Sequence, residues 1–152
     1  MNLNDLVTDV VRMVSPNAIL HSCELHTLLE PNLQPINGDR IQLQQVLLNL
    51  TINAFDAMRD TPIASRKVLI TTESNGDGTV RTSVRDYGTG ISEEARARVF
   101  EQFFTTKERG LGMGLAIVRS IVKSHGGSIS AENAEGGGAR FHFTLPKAAA
   151  TS

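Results

Sequence analysis

The sequence predicts an α+β fold, a two-layer sandwich in which one mixed or largely antiparallel sheet carries helices on a single face. Three observations predict it. Helical and strand patterns alternate as helix, strand, helix, hairpin, two helices and a closing hairpin, so most strands arrive in antiparallel pairs. No β-α-β rhythm persists and no G-x-x-x-x-G-K-[ST] occurs, which disfavours Rossmann and P-loop architectures. The 152 residues suffice for one hydrophobic core without disulfides or structural metal.

Composition narrows the function classes. The chain is 40% hydrophobic and 20% charged with a formal net charge of −1, which gives no electrostatic support for nucleic-acid or acidic-membrane binding. Cys23 is the single cysteine, so an intrachain disulfide and a cysteine-based zinc site are excluded. It reads as a small, buried residue. No apolar run approaches a membrane span and no signal peptide opens the chain, so a soluble, cytoplasmic protein without direct membrane contact is expected. One domain is expected over residues 1–146, with a frayed tail over 147–152.

The elements follow in order. Asn4 or Asp5 can cap a first helix whose apolar side is Leu6, Val7, Val10, Val11 and Val14, with Ser15-Pro16-Asn17 stopping it. Cys23 to Glu30 alternates as a strand, and Pro31 and Pro35 bracket the loop behind it. Asp39 caps a long helix running to about Arg59, where Thr61-Pro62 breaks it. Lys67 to Glu73 and Thr79 to Arg85 form a hairpin around Asn75-Gly76-Asp77-Gly78. Ser92, followed by Glu93 and Glu94, caps a short helix to about Val99. The Gly-rich run from Gly110 opens a helix to His125, which Gly126-Gly127 ends. Ser128 to Glu132 and Ala139 to Leu145 make the last hairpin, through Glu135-Gly136-Gly137-Gly138.

Three clusters ask for a chemical reason. On the long helix, Gln42, Gln45, Asn49, Asn53 and Asp56 fall on one narrow stripe at helical spacing. Leu43, Val46, Leu47, Leu50, Ala54 and Ala57 flank it on one side, and Ile41, Leu48, Ile52 and Phe55 on the other. Buried amides need partners, so the stripe faces either an internal hydrogen-bond network or a cavity holding a polar ligand. An Asn carboxamide oxygen can complete a Mg²⁺ shell whose negative ligands are substrate phosphates. Next, Asp86 ends a strand and is followed by Tyr87-Gly88-Thr89-Gly90-Ile91. That places a hydrogen-bond acceptor beside backbone able to approach a flat ring, or it is simply a strand-end turn. Last, Gly110, Gly112 and Gly114 lead into a helix N-terminus beside Lys107 and Arg109, which is either a mobile loop or a phosphate site.

In order, N-L-x-x-N-A-x-D-A, D-x-G-x-G-I, F-x-x-F-F-T-T-K and G-L-G-M-G-L resemble the N, G1, F and G2 boxes of sensor histidine kinases. The resemblance covers nearly the whole chain and looks most like the nitrogen-regulation and oxygen-sensing branch. It implies the Bergerat (GHKL) ATP-binding fold, shared with type II topoisomerases, mismatch-repair ATPases and Hsp90 chaperones. It implies that Asn53 ligates Mg²⁺ with support from Asn49, and that Asp86 reads the adenine amine with Gly88 and Gly90 beneath the ring. Gly110, Gly112 and Gly114 would form a lid over the ATP phosphates, with Leu115 opening the helix behind it. Phe100, Phe103 and Phe104 would anchor the lid's near end. Ile91, Thr106, Leu111 and Met113 complete the nucleotide-binding set that the resemblance implies, and Lys107 joins Asn49 and Asn53 as catalytic.

The chain departs from the family pattern in two places. Asp56 and Ala57 stand where many members carry Lys and Tyr, so phosphate charge must be met elsewhere, with Lys107 and Arg109 as candidates. Asp56 can join the metal's water shell or act as a hydrogen-bond acceptor behind it. Asn49 stands where the ATP-hydrolysing relatives carry Glu, and a carboxamide is no general base. The residues therefore favour phosphoryl transfer to another acceptor over hydrolysis. The histidines are His21, His26, His125 and His142, and none lies in an H-E/D-x-x-x-P box. The acceptor histidine is thus expected on a dimerisation hairpin outside this chain, with a cognate response regulator as the further partner. A GHKL-type ATPase and a nucleotide-gated interaction module are the alternatives.

Overall fold

A computed structural model describes residues 1–101 and 114–148. The elements are α1 (Leu3–Leu20), β1 (Glu24–Leu29), α2 (Arg40–Ala57), β2 (Lys67–Ser74), β3 (Thr79–Asp86), α3 (Glu93–Arg98), α4 (Gly114–Ser124), β4 (Ser128–Asn133) and β5 (Ala139–Pro146). The strands form one five-stranded sheet in the order β1-β2-β3-β5-β4. β1 runs parallel to β2 and every other pairing is antiparallel, so the sheet is mixed. α1, α2 and α4 pack against one face.

Alternation along the strands decides which face is covered. Val68 and Ile70 of β2, Val80 and Val84 of β3, and Phe141, Phe143 and Leu145 of β5 are buried on the helix side. The intervening residues, including Leu69, Thr71, Arg81 and Arg85, point to the other face. α1 meets the sheet through Leu3, Leu6, Val7, Val10, Val14 and Ala18, a helical stripe of buried positions. α2 contributes Leu43, Val46, Leu47, Leu50, Ala54 and Phe55.

Four sequence expectations are corrected. The cap of α1 is Asn2, whose Oδ1 accepts from the Asn4 N–H at 2.8 Å. The Asn4 side chain instead donates to the Glu30 carbonyl at 2.8 Å and accepts from the Thr72 hydroxyl at 2.6 Å, tying the helix to the sheet. Pro16 does not stop α1, which continues to Leu20. Proline removes one helical hydrogen bond, to the carbonyl of Arg12, and both residues are exposed so water can replace it. Burial of Ala18 and the bond from Cys23 N–H to the Ala18 carbonyl at 2.8 Å favour continuation.

The polar stripe of α2 is also not hemmed in on both sides. Ile41 is 78% exposed and Ile52 39%, so that flank is only partly covered, with Phe55 buried and Leu48 half-buried against the core. Gln42 and Gln45 are exposed, whereas Asn49, Asn53 and Asp56 are half-buried. Finally, Lys147 N–H donates to Gly78 at 3.0 Å and Ala148 N–H to Pro35 at 2.8 Å, so these two residues are paired and not frayed.

Candidate functional site

The first part of the site is a carboxylate at a strand end. β3 delivers Asp86 to the helix side of the sheet, where it is 1% exposed. Its Oδ1 accepts from Gly88 N–H at 2.9 Å and from Ala139 N–H, at the start of β5, at 3.2 Å. Burial pushes the Asp86 carboxyl above its ordinary range, and those two hydrogen bonds together with nearby Arg85 oppose the push. Oδ1 is engaged, while Oδ2 has no donor among the described residues and can accept one from a ligand.

The glycines after Asp86 are dictated by close approach. A Cβ on Gly88 would sit 2.6 Å from the carbonyl oxygen of Ala57, at the end of α2. A Cβ on Gly90 would sit 2.7 Å from Oδ1 of Asn133, and Gly90 has a φ of 84°. The turn is thus wedged between α2 and the β4–β5 hairpin. Tyr87 N–H donates to the sulfur of Met58 at 3.4 Å, a second contact with the end of α2.

That contact orders the polar stripe relative to Asp86. Ala57 lies one turn beyond Asn53 on the same face, and Asn49 lies one turn before it. The stripe therefore leads along α2 to the point where Gly88 packs. The side chains of Asn49 and Asn53 make no hydrogen bond among the described residues, so they do not serve to tie down backbone. Asp56 pairs with Arg59 at 3.8 Å.

Residues that sequence reasoning passed over complete the wall. Asn133 Oδ1 accepts from Ile91 N–H at 2.7 Å, and its Nδ2 donates to the Ile91 carbonyl at 2.8 Å. This reciprocal pair closes the D-x-G-x-G-I turn from the far side. An Asn before a Gly-rich turn reads locally as turn chemistry, and nothing nearby in the chain points to Ile91. A Cβ on Gly138, at φ 80°, would overlap the carbonyl of Asp86. Arg85 lies over the Tyr87 ring, 4.2 Å from its centroid, and donates to the carbonyls of Glu135 and Gly137.

Of the remaining site candidates, Gly114 begins α4 and Leu115 packs against the core. Phe100 meets Phe141 edge-on at 6.0 Å between ring centroids. Phe103, Phe104, Thr106, Lys107, Arg109, Gly110, Leu111, Gly112 and Met113 lie outside the described residues. Among the described residues no three His, Cys, Asp or Glu side chains cluster as a metal cage, and no helix is long and apolar enough to cross a membrane.

Comparison with known proteins gives concordant results. The family described as histidine kinase-, DNA gyrase B- and HSP90-like ATPase matches residues 38–149. The sensor histidine kinase ZraS of Klebsiella oxytoca is 39% identical over 146 residues, 96% of this chain and 31% of that protein. The catalytic domain of histidine kinase ThkA superposes with a TM-score of 0.83 at 34% identity, covering 97% of this chain and 93% of that one. ThkA is also known in complex with the response regulator protein TrrA. Full-length ShkA in complex with AMPPNP gives a TM-score of 0.85 at 35% identity, over all of this chain and 31% of that one. The chain spans less than a third of the length of the curated relatives it matches.

Proposed function

The chain belongs to the histidine kinase-, DNA gyrase B- and HSP90-like ATPase family, as an ATP-binding catalytic domain of the sensor histidine kinase kind, and on that premise we propose that it binds Mg·ATP and transfers the γ-phosphoryl group to a histidine held outside it. One observation carries the reading. The buried Asp86 carboxylate is packed, through Gly88, against the end of the helix that bears Asn49 and Asn53, whose carboxamides have no partner among the described residues.

In this reading Asp86 accepts from the exocyclic amine of adenine, and the backbone of Gly88 to Ile91 lies against the ring. Asn53 offers a neutral oxygen of the kind Mg²⁺ accepts when phosphates supply the charge, which suits a site without a carboxylate cage among the described residues. Bound Mg²⁺ would neutralise phosphate charge. Asn49 orients groups beside Asn53 and cannot abstract a proton from water, so the chain's contribution is positioning and charge. We assign Thr106, Lys107 and Arg109 to the phosphates and Gly110 to Gly114 to the lid over them, with Phe103 at its near end. The further partners are an acceptor-histidine hairpin and a response regulator, in a cytoplasmic setting.

The test combines binding and transfer. Calorimetry with ATP should show Mg²⁺-dependent binding. Addition of an acceptor-histidine hairpin with radiolabelled ATP should give an acid-labile phosphate on the hairpin. Phosphate release without a hairpin, or binding with no transfer, would overturn the kinase reading.

A further inference from the structure

The face of the sheet that carries no helix holds a groove of about 260 Å³. Arg85 of β3 lies directly opposite Arg140 of β5, and Arg81 sits two positions further along the same face. Like charges paired directly across strands are unfavourable unless something screens them. Three guanidinium groups face two carboxylates, Glu73 at 3.6 Å from Arg81 and Glu132 at 3.3 Å from Arg140. One positive charge is left over, and no carboxylate pairs with Arg85 among the described residues. His142 adjoins the array, and burial first and Arg81 second hold its ring below the ordinary imidazole range, so at neutral pH it adds no charge.

The array is also rich in donors and poor in acceptors. The Nε–H groups of Arg81 and Arg85 are buried without a hydrogen-bond partner among the described residues. Ser83, 6% exposed, supplies a hydroxyl at the floor, and Leu69 and Thr71 form the wall on the β2 side. Guanidinium groups pair best with planar carboxylate or tetrahedral phosphate oxygens. The volume falls below that of sites for drug-sized ligands and suits a small anion.

We propose that this groove is a second ligand site, separate from the nucleotide site, that binds a small anion bearing phosphate or carboxylate oxygens. It does not rest on the kinase reading. The test is a backbone-amide NMR titration of the nucleotide-free chain with inorganic phosphate and, separately, citrate, each against chloride at constant ionic strength. Saturable shifts centred on Thr71, Ser83 and Arg140 are expected, and saturation by one probe alone identifies the oxygen type. Arg140→Gln should weaken binding about tenfold, the loss of one charge-assisted hydrogen bond. Arg81→Gln serves the same purpose should that variant fold poorly, and Asn53→Ala should titrate as the parent does. Shifts that follow ionic strength only, or unchanged affinity in both arginine variants, would overturn the site. Binding of a polyglutamate peptide at this face, with no response to either small anion, would replace it by a protein-docking surface.

Discussion

The backbone N–H of Asp39, which caps α2, donates across 3.0 Å to Nε2 of His125, which ends α4. Nδ1 of the same ring meets the Ile121 carbonyl at 2.8 Å. Nδ1–H therefore donates while Nε2 accepts. The two helices that frame the polar stripe are fastened end to start by one imidazole. His125→Ala should lower stability by about 1–2 kcal/mol, the sum of two exchanged hydrogen bonds, as read from urea unfolding midpoints. An unchanged midpoint would mean that water replaces the ring without loss.

Asp86 gives a prediction whose sign is unusual. Because its folded carboxyl titrates above the unfolded value of 3.8, its contribution to stability is fully present below 3.8 and is lost as pH rises through the raised value. Asp86→Asn keeps an oxygen for Gly88 and Ala139 and carries no charge to desolvate. Above that window the variant should unfold at the same temperature as the parent or higher, and below it the two should converge. The same variant should lose its preference for ATP over GTP. Stability retained with selectivity lost would mark Asp86 as kept for its ligand, whereas a large fall in melting temperature at neutral pH would mark it as structural.

Asn53→Ala should abolish the Mg²⁺ dependence of nucleotide binding and leave unfolding within about 0.5 kcal/mol of the parent, because the carboxamide has no partner among the described residues to lose. Calorimetry with and without Mg²⁺ checks the first part and thermal unfolding the second. Equal Mg·ATP affinity in variant and parent would remove Asn53 from the metal.

Asn133 holds Ile91 by two hydrogen bonds, so Asn133→Ala should loosen the turn after Asp86 without touching Asp86 itself. Nucleotide affinity should fall about tenfold, with phosphotransfer at saturating ATP little changed. Asn133→Asp can accept from Ile91 N–H but cannot donate to its carbonyl, and should fall between the two. A drop in the saturated rate with unchanged affinity would contradict a positioning role.

Gly138 and Gly137 separate overlap from backbone strain. Both have positive φ, 80° and 112°, but a Cβ on Gly138 strikes the Asp86 carbonyl whereas one on Gly137 meets nothing within 4 Å. Gly137→Ala should cost about 1 kcal/mol and Gly138→Ala more than about 2 kcal/mol. Paired denaturation curves measure the difference.

The parts of this fold that were legible in the sequence are those with a local period. The strands of both hairpins and the buried face of α2 declare themselves because alternation and helical spacing each encode which side is buried. The end of α1 was not legible, since the local cost of Pro16 is outweighed by burial of Ala18, which is a tertiary fact. Exposure of Ile41 and Ile52 was equally hidden, because an apolar residue records a preference and not a neighbour. Within the site, Asp86 and its glycines were visible as a motif. Asn133 was not, because its partner Ile91 is 42 positions away.

The β4–β5 hairpin supplies the Ala139 N–H to Asp86, the Gly138 backbone against its carbonyl and the Asn133 clasp on Ile91. Chains are made from the N-terminus, and domains generally fold as units during synthesis. When the ribosome has released Asp86, Gly88 and Ile91, the Asn133, Gly138 and Ala139 groups that help to fix them have yet to be translated. The turn after Asp86 is completed only with the last hairpin, so a ribosome stalled before residue 139 carries every motif from Asn49 to Leu115 and still lacks the Ala139 donor that holds the Asp86 carboxylate.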